Sequence, residues 1–342
     1  MSRKVPAKIM LSPFARLLWR SADVVQLELG GQAVLIEGVD PALIRQLAPH
    51  ARADGPPPPD WPDGWGDAVS RHSLRTLAEA GYLWPNDEDD GLLAPPRPRL
   101  APELGSLAAR RGPLAAEVLH ARRHCAVAVH GGGRAAAHVA TLLAAAGVGR
   151  VRVLDADPVR LHQAVPGGVL PSDEGAALSS AAADAVRRAA PDADTTPLPT
   201  GERPDLVVLA IDEPIEAEQR DALHAHGWAH LAVRLGPDFG VVGPLVIPGL
   251  TSCLRCADLH RRDRDPAWSA LAVQLTVRPR RGAASDVAVA TVVAGFAALQ
   301  ILSYLDGEQP AAIDGTLELH QPDWRIRRRS WPAHPDCDCS AQ

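Results

Sequence analysis

Between residues 125 and 235, short apolar runs alternate with longer segments in which apolar residues recur at helical spacing. The apolar runs predict strands: CAVAVH (125–130), RVRVLD (150–155), DLVVLAI (205–211) and HLAVRL (230–235). The segments between them predict helices over 133–146, 175–190 and 215–226. Residues 285–305 then read as one long helix and 315–331 as an antiparallel hairpin. We therefore predict an α/β domain with a mostly parallel sheet covered by helices on both faces.

The N-terminal part of the chain follows a different pattern. Two stretches with strand-like alternation, VVQLEL (24–29) and AVLIEG (33–38), flank a Gly-Gly pair and predict the two strands of a hairpin. Asp40 and Pro41 are typical of a helix start, and a second helix is expected over 68–80. Strands and short helices in this order resemble a winged-helix module.

A change of composition separates the two patterns. Residues 91–110 are rich in proline and have no apolar period, which indicates a linker. We therefore predict a small winged-helix-like α+β domain over 1–90, a linker over 91–110, and the α/β domain over 111–342.

Composition narrows the class of protein. The chain has 342 residues, 46% of them hydrophobic, and a formal net charge of −6, so it can bury a core and has no overall attraction for nucleic acid or anionic lipid. Basic residues interrupt the apolar N-terminal run, and no later stretch is expected to span a bilayer. Five cysteines, four of them in two tight pairs, suit metal binding in a reducing compartment, so we expect a cytoplasmic protein.

The first strand of the α/β domain runs into a glycine-rich turn. Gly131, Gly133 and Ala136 form a G-x-G-x-x-A pattern at a predicted helix start, and Asp155 ends the next strand. Such glycines let backbone amides approach a pyrophosphate, and such an acidic residue holds ribose hydroxyls. The pattern predicts a Rossmann-like, nucleotide-derived fold. The alternative explanation of the glycines is a tight strand-to-helix turn that binds nothing.

The run GVGRVRVLDADPV (147–159) resembles the ThiF/MoeB group, relatives of the ubiquitin-activating enzymes, and the resemblance covers residues 120–342. It implies a fold in which ATP and magnesium serve to adenylate a C-terminal carboxylate. The positions that would contact nucleotide or magnesium are Gly131, Gly133, Asp155, Asp157 and Asp212.

Several residues that this family pattern requires are missing. The N-x-x-R-Q run of the family falls on residues 163–167, QAVPG, where none of its three specified residues is in place. No lysine occurs beyond residue 8, and the D-N pair reads Asp212-Glu213. Because attack on a phosphate needs cationic groups around the triphosphate, only Arg160 or Arg134 would be left to act with Asp212, and arginine replaces lysine poorly at such sites. We therefore expect a catalytically degenerate site.

Two cysteine pairs, Cys253/Cys256 and Cys337/Cys339, carry the clearest chemical pattern. Four thiolates satisfy a tetrahedral zinc ion and leave no open position, which predicts a structural metal site. The resemblance also implies structural zinc here, although its second pair is usually C-x-x-C, and His334 would be an alternative ligand. The competing interpretation is two disulfides or free thiols. Cys125, at the start of an apolar strand, is expected to be a core residue.

Three histidines and one arginine-rich run are weaker indications of function. His130, His138 and His162 surround the glycine turn, and structural roles are favoured over acid–base catalysis. RIRRRSW (325–331) alternates along a strand, which favours a solvated sheet face over a patch for an acidic peptide.

Three longer runs, which together extend over both domains, carry a more specific resemblance. They cover residues 17–48, 230–268 and 327–339. They resemble actinobacterial ThiF-like proteins that bind leader peptides for azole-forming (TOMM) cyclodehydratases of the YcaO type. The resemblance implies a degenerate, usually homodimeric protein that binds a ribosomal precursor peptide and presents it to such a modifying enzyme. In those proteins the leader adds a strand to the winged-helix sheet.

Three other function classes compete with this one. An active ATP-dependent adenylyltransferase acting on a peptide or protein C-terminus shares the same fold. A nicotinamide-dependent oxidoreductase shares the glycine turn but predicts neither the cysteine pairs nor the D-x-D strand. A DNA-binding winged helix conflicts with the charge of residues 1–100, which hold 11 Lys+Arg and 13 Asp+Glu.

The exposed edge of the small sheet formed by the two N-terminal strands is the expected docking site for the leader. An extended peptide pairs with such edge backbone, and its apolar side chains would enter the groove between the sheet and the helix that starts at Pro41. Val34 and Ile36 fall on one face of the second strand and Leu35 and Glu37 on the other, and the sequence leaves open which pair lines the groove. The alternative is a small core that binds no ligand.

Overall fold

The computed structural model describes residues 9–12, 15–21, 24–27, 33–38, 76–77, 82–85, 98–211, 215–277 and 285–339. The chain divides into two compact units, residues 1–120 and 121–342. The domain and linker limits expected from the sequence stay predictions.

Short strands build the first unit. They are β1 (Ile9–Leu11), β2 (Leu17–Trp19), β3 (Val24–Leu27), β4 (Val34–Glu37) and β5 (Leu83–Pro85). An antiparallel sheet has the order β2-β3-β4, and β1 pairs with β5. Val25, Leu27 and Ile36 are almost fully buried, because a small sheet is stable only when one face is covered. β3 and β4 confirm the two predicted hairpin strands.

Both helices expected in this unit fall mainly outside the described residues. That applies to the helix expected from Pro41 and to most of the one expected over 68–80, of which Thr76 and Leu77 are described and helical. Two further helices are α1 (Ala101–Arg111) and α2 (Ala115–Arg122). α1 lies almost entirely in the segment predicted as linker, where Leu100, Leu104 and Leu107 recur at helical spacing and form one buried contact face among the prolines.

A seven-stranded sheet organises the second unit, in the order β12-β11-β10-β9-β8-β6-β7. Its strands are β6 (Ala126–His130), β7 (Arg150–Leu154), β8 (Leu206–Ala210), β9 (His230–Leu235), β10 (Phe239–Val246), β11 (Gly315–His320) and β12 (Ile326–Ser330). β7, β6, β8 and β9 pair in parallel, and the hairpin of β11 and β12 extends the sheet through β10. The predicted α/β class, with a mostly parallel sheet, is confirmed.

Helices cover this sheet and complete its core. They are α3 (Ala136–Ala145), α4 (Leu178–Ala189), α5 (Ala217–Ala225), α6 (Leu254–Arg264), α7 (Trp268–Val277) and α8 (Val287–Leu305). Valine and alanine dominate the contacts, so helices and strands approach closely. The sequence predicted α3, α4, α5 and α8, whereas β10, α6 and α7 were not predicted.

Helix α8, 19 residues long, is long and apolar enough to cross a membrane by length and composition, with a mean hydropathy of 1.9 over an 18-residue window. Eight of its side chains are buried, among them Val293, Ala297 and Ile301, and it packs on α3, β9 and β10. An apolar helix with one face in the core is common in globular domains. Its place in the second unit explains its composition through packing.

Candidate functional site

The four paired cysteines meet at one point of the second unit, and we call them the cysteine cluster. Cys253 stands immediately before α6 and Cys256 lies in its first turn, while Cys337 and Cys339 follow β12. All four sulfur atoms lie within 4.8 Å of one another. The sulfurs of Cys253 and Cys337 are 3.6 Å apart, and those of Cys256 and Cys339 are 3.3 Å apart. Tetrahedral zinc with bonds of about 2.3 Å requires sulfur separations of about 3.8 Å, so the cluster fits such an ion.

Burial and hydrogen bonding act differently on the thiols of the cluster. Burial raises the pKa of Cys253 to about 11 and also raises the pKa of Cys339. Burial acts in the same direction on Cys256, but backbone hydrogen bonds involving His334 and Cys253 outweigh it and lower the pKa of that thiol. Because a thiol must lose its proton to bind a metal ion, binding here releases protons.

His334, the alternative ligand, lies beside the cluster but has other partners. Its Nε2 is 2.7 Å from the Asp263 carboxylate, and its Nδ1 accepts a hydrogen bond from the Asp336 amide at 3.0 Å. Both ring nitrogens are therefore engaged, which leaves the four cysteines as the candidate ligand set.

A turn of three glycines, residues 131–133, connects β6 to α3, and we call it the glycine turn. Gly131 has φ of +118°, and a Cβ there would overlap the carbonyl of Ala210. A Cβ on Gly132 would lie 2.5 Å from a carboxylate oxygen of Asp155. The backbone therefore requires glycine at position 131, whereas at position 132 a side chain would have to displace the Asp155 carboxylate.

The acidic residues of the predicted nucleotide site are only partly brought together. Asp155 lies against the turn and accepts a hydrogen bond from the amide of Asp157 at 2.8 Å, while Asp157 is exposed. Asp212 lies outside the described residues. Gly133 begins the bend that leads into α3, and Arg160 is exposed on the loop after β7.

Side chains of the protein itself occupy the space next to the glycine turn. Gln163 donates its side-chain amide to the carbonyl of Gly132, and its Oε1 accepts from the Arg160 amide at 2.7 Å. Arg134 donates to the carbonyl of His162 at 2.6 Å and to that of Ser285 at 2.7 Å. The guanidinium of Arg134 is therefore already hydrogen-bonded within the protein. The sequence did not predict this, because the two acceptors are backbone atoms far apart in the chain.

Two of the three histidines near the turn have side chains whose pKa is lowered by burial, and the third contributes a backbone carbonyl. His130 ends β6 and His138 is buried in α3, and burial lowers the pKa of both. Both side chains are therefore neutral near pH 7. His162 contributes its backbone carbonyl to Arg134.

The arginine run forms β12, where every side chain is exposed. Arg327 makes two hydrogen bonds to the carboxylate of Asp323, and Arg329 lies 3.2 Å from Glu318. These contacts agree with the expected solvated sheet face.

In the first unit, burial decides the orientation of the expected docking strand β4. Ile36 is 1% exposed and Val34 packs on the same core, whereas Leu35 is 47% exposed. Leu35 and Glu37 therefore face outward. Among the described strands, β4 is an edge of its sheet.

Comparison with known proteins supplies the family context. Residues 113–341 match the ThiF family. Curated proteins yield no match to the chain.

Solved structures share the fold at low sequence identity. Escherichia coli MccB with succinimide has a TM-score of 0.70 at 15% identity, covering 97% of this chain and 98% of that chain. MccB from E. coli with ATP gives 0.69 at 15% identity, over 97% and 99%. The microcin C7 biosynthetic enzyme MccB in complex with N-formylated MccA gives 0.68 at 15% identity, over 97% and 99%. PaaA gives 0.58 at 18% identity, over 75% and 90%. The likeness is one of fold.

Proposed function

The chain belongs to the ThiF family, and from that premise we propose that it is a catalytically degenerate member that binds a ribosomal precursor peptide and presents it to a partner modifying enzyme. The observation that carries the proposal is the state of the glycine turn. Gln163 bonds to the turn itself and Arg134 bonds to two backbone carbonyls, which leaves Arg160, among the described residues of the two loops, to meet a triphosphate, and arginine replaces lysine poorly at such sites.

Peptide binding is supported from two directions. MccB, which shares this fold over nearly the whole chain, has been solved with the peptide MccA. In this chain the outward face of β4 offers Leu35 as an apolar contact, and its strand edge offers backbone hydrogen bonds. We assign leader-peptide binding to this edge.

The finer assignment follows the longer sequence resemblance. We propose that the chain is one of the actinobacterial TOMM leader-binding proteins, that its partner is a YcaO-type cyclodehydratase, and that it acts as a cytoplasmic homodimer. The cysteine cluster holds zinc in a structural role, since four thiolates close the coordination sphere.

Binding of the leader is tested with the full-length protein and a fluorescent copy of a precursor encoded beside its gene. We expect micromolar or tighter binding by fluorescence anisotropy, because backbone pairing and apolar contacts act together. Leu35→Pro removes an edge amide and should abolish binding, while Leu35→Thr keeps the strand and should weaken it moderately. Unchanged affinity of the proline variant would place the peptide elsewhere.

A second candidate, an active adenylyltransferase, is favoured by one observation: MccB has been solved with ATP on the same fold. In that case Gly131, Gly133, Asp155, Asp157 and Asp212 would hold ATP and magnesium, with Arg160 near the phosphates. Pyrophosphate exchange into ATP, measured with the precursor present, separates the two functions. Robust exchange that Asp212→Ala abolishes would establish the adenylyltransferase, and we expect none.

A further inference from the structure

A cavity of about 270 Å³ opens beside the cysteine cluster, between α5, the start of β9 and the start of α6. Cys253 and Cys339, one from each cysteine pair, line it together with His224 and His230. The cavity therefore connects the metal-binding sulfurs with two imidazoles that belong to neither pair.

His230 is held in one tautomer with its free nitrogen buried. The side chain is 1% exposed, and its Nδ1 lies 2.9 Å from the carbonyl of Trp228. Because a carbonyl only accepts hydrogen bonds, Nδ1 carries the proton and Nε2 presents a lone pair. That Nε2 has no hydrogen-bond partner among the described residues, and the same is true of the buried Nδ1 of His224.

The Nε2 of His230 therefore offers a lone pair to a ligand, and the Nδ1 of His224 offers one in the tautomer that carries its proton on Nε2. A buried polar atom without a partner is costly, so native structures rarely keep one without a reason. A histidine whose Nδ1–H is fixed by a backbone carbonyl is arranged as metal-binding histidines are, with Nε2 pointed at the ion.

The formal charges that line the cavity cancel. Asp221 and Asp338 line it, and Arg220 and Arg255 offset them. Arg255 is bound to Asp338 at 2.5 Å. Attraction for a dication therefore comes from the cysteine sulfurs at the inner end, once they lose their protons to bind the ion.

We propose that this cavity is the route by which a divalent transition-metal ion reaches the cysteine cluster, with His230 and His224 as its first, transient ligands. The inference rests on the proposed zinc site. During loading, metal–imidazole bonds break as metal–sulfur bonds to Cys253 and Cys339 form. The protons of the thiols pass to water in the open cavity. Release of the ion follows the same route in reverse.

Metal exchange on the folded, zinc-loaded, full-length protein tests the route. Excess Cd²⁺ replaces zinc, and ultraviolet cadmium–thiolate absorption follows the replacement. His224→Gln and His230→Gln should each slow exchange about tenfold, with zinc content and Tm unchanged. His226→Gln is the matched control, because His226 is exposed at the same helix end and its Nδ1 lies 2.6 Å from the Ala222 carbonyl.

The outcomes are distinguishable. Exchange rates equal to wild type in the His224→Gln and His230→Gln variants would overturn the proposal, as would equal slowing in the His226 control. A second zinc equivalent that wild type retains and the variants lose would make the histidines a resident site instead. Zinc content of the wild-type protein is read first, and its absence would overturn the metal site itself. If His230→Gln does not fold, the less buried His224 variant still decides.

Discussion

The cysteine cluster and the glycine turn lie in the same α/β unit, yet their side chains are organised in opposite ways. In the cluster, four ligands from two distant segments converge at distances that suit one ion. At the glycine turn, Gln163 and Arg134 instead bond to backbone carbonyls of the protein itself. Side chains that converge on one point therefore support a ligand site more strongly than a glycine pattern whose neighbouring side chains are bonded within the protein.

The largest effect is expected from breaking the cluster. Cys256→Ser should remove the bound zinc and lower the free energy of unfolding by about 4 kcal/mol or more, because a structural metal is part of the folding energy. Metal analysis and denaturant unfolding measure both quantities. Cys125→Ser, at the cysteine outside the cluster, serves as control and should retain zinc. A stable, zinc-free Cys256 variant would remove the structural role.

The next effect tests whether the glycine turn serves the fold. Gly131→Ala should lower the free energy of unfolding by about 3 kcal/mol, because a left-handed φ and a clash with Ala210 act together. Gly175→Ala has positive φ but nothing within 4 Å, so it should cost about 1 kcal/mol. Thermal unfolding compares the two variants, and equal costs would contradict the steric explanation.

Proton release should make the cluster sensitive to pH. Burial raises the pKa of Cys253 to about 11 and that of Cys339 as well, so both thiols of the metal-free protein hold their protons at neutral pH. Zinc must displace these protons, so its apparent affinity rises with pH and falls as pH drops. We expect at least about a tenfold change per pH unit, or 1.4 kcal/mol, measured by competition with a chelator between pH 6 and pH 8. A flat profile would show that the thiols are ionised beforehand.

The smallest effect concerns the residue that covers the turn. Gln163→Ala removes its hydrogen bonds and should cost about 1 kcal/mol of stability. Pyrophosphate exchange should stay absent, because Arg160 remains the cation near the phosphates and arginine replaces the family lysine poorly. Appearance of exchange in this variant would mean that Gln163 alone blocks an intact site.

Strands and helices of the α/β unit could be predicted where their pattern of apolar residues agrees with the burial that the fold gives them. The apolar runs of β6, β8 and β9 are inner strands with both faces largely buried, and β7 is an edge strand whose alternate residues are buried, so all four sequences read as strands without any context. β10 escaped prediction because Gly240, Gly243 and Pro244 interrupt it, and its pairing shifts register between Val242 and Leu245.

The candidate sites also differ in whether neighbours in the chain make them visible in the sequence. Spacing within the chain predicts a cysteine pair, since both of its members lie a few residues apart. His224 and His230 have no such motif, and their shared cavity exists only because α5 and β9 pack beside α6. Sequence reasoning therefore missed them.

The sequence by itself determined the alternation of strands and helices, the glycines of the turn and the two cysteine pairs, because each depends on neighbours in the chain. Tertiary structure alone decided that the sulfurs of the two cysteine pairs meet within 4.8 Å and that Arg134 donates hydrogen bonds to the carbonyls of His162 and Ser285. It also decided that Arg122 is buried against Asp306, 184 residues away, at 2.7 Å. Such contacts join segments that are far apart in the chain, and the local sequence of one segment does not predict the other. Only the packed fold therefore shows whether a polar side chain is available to a ligand or already bonded within the protein.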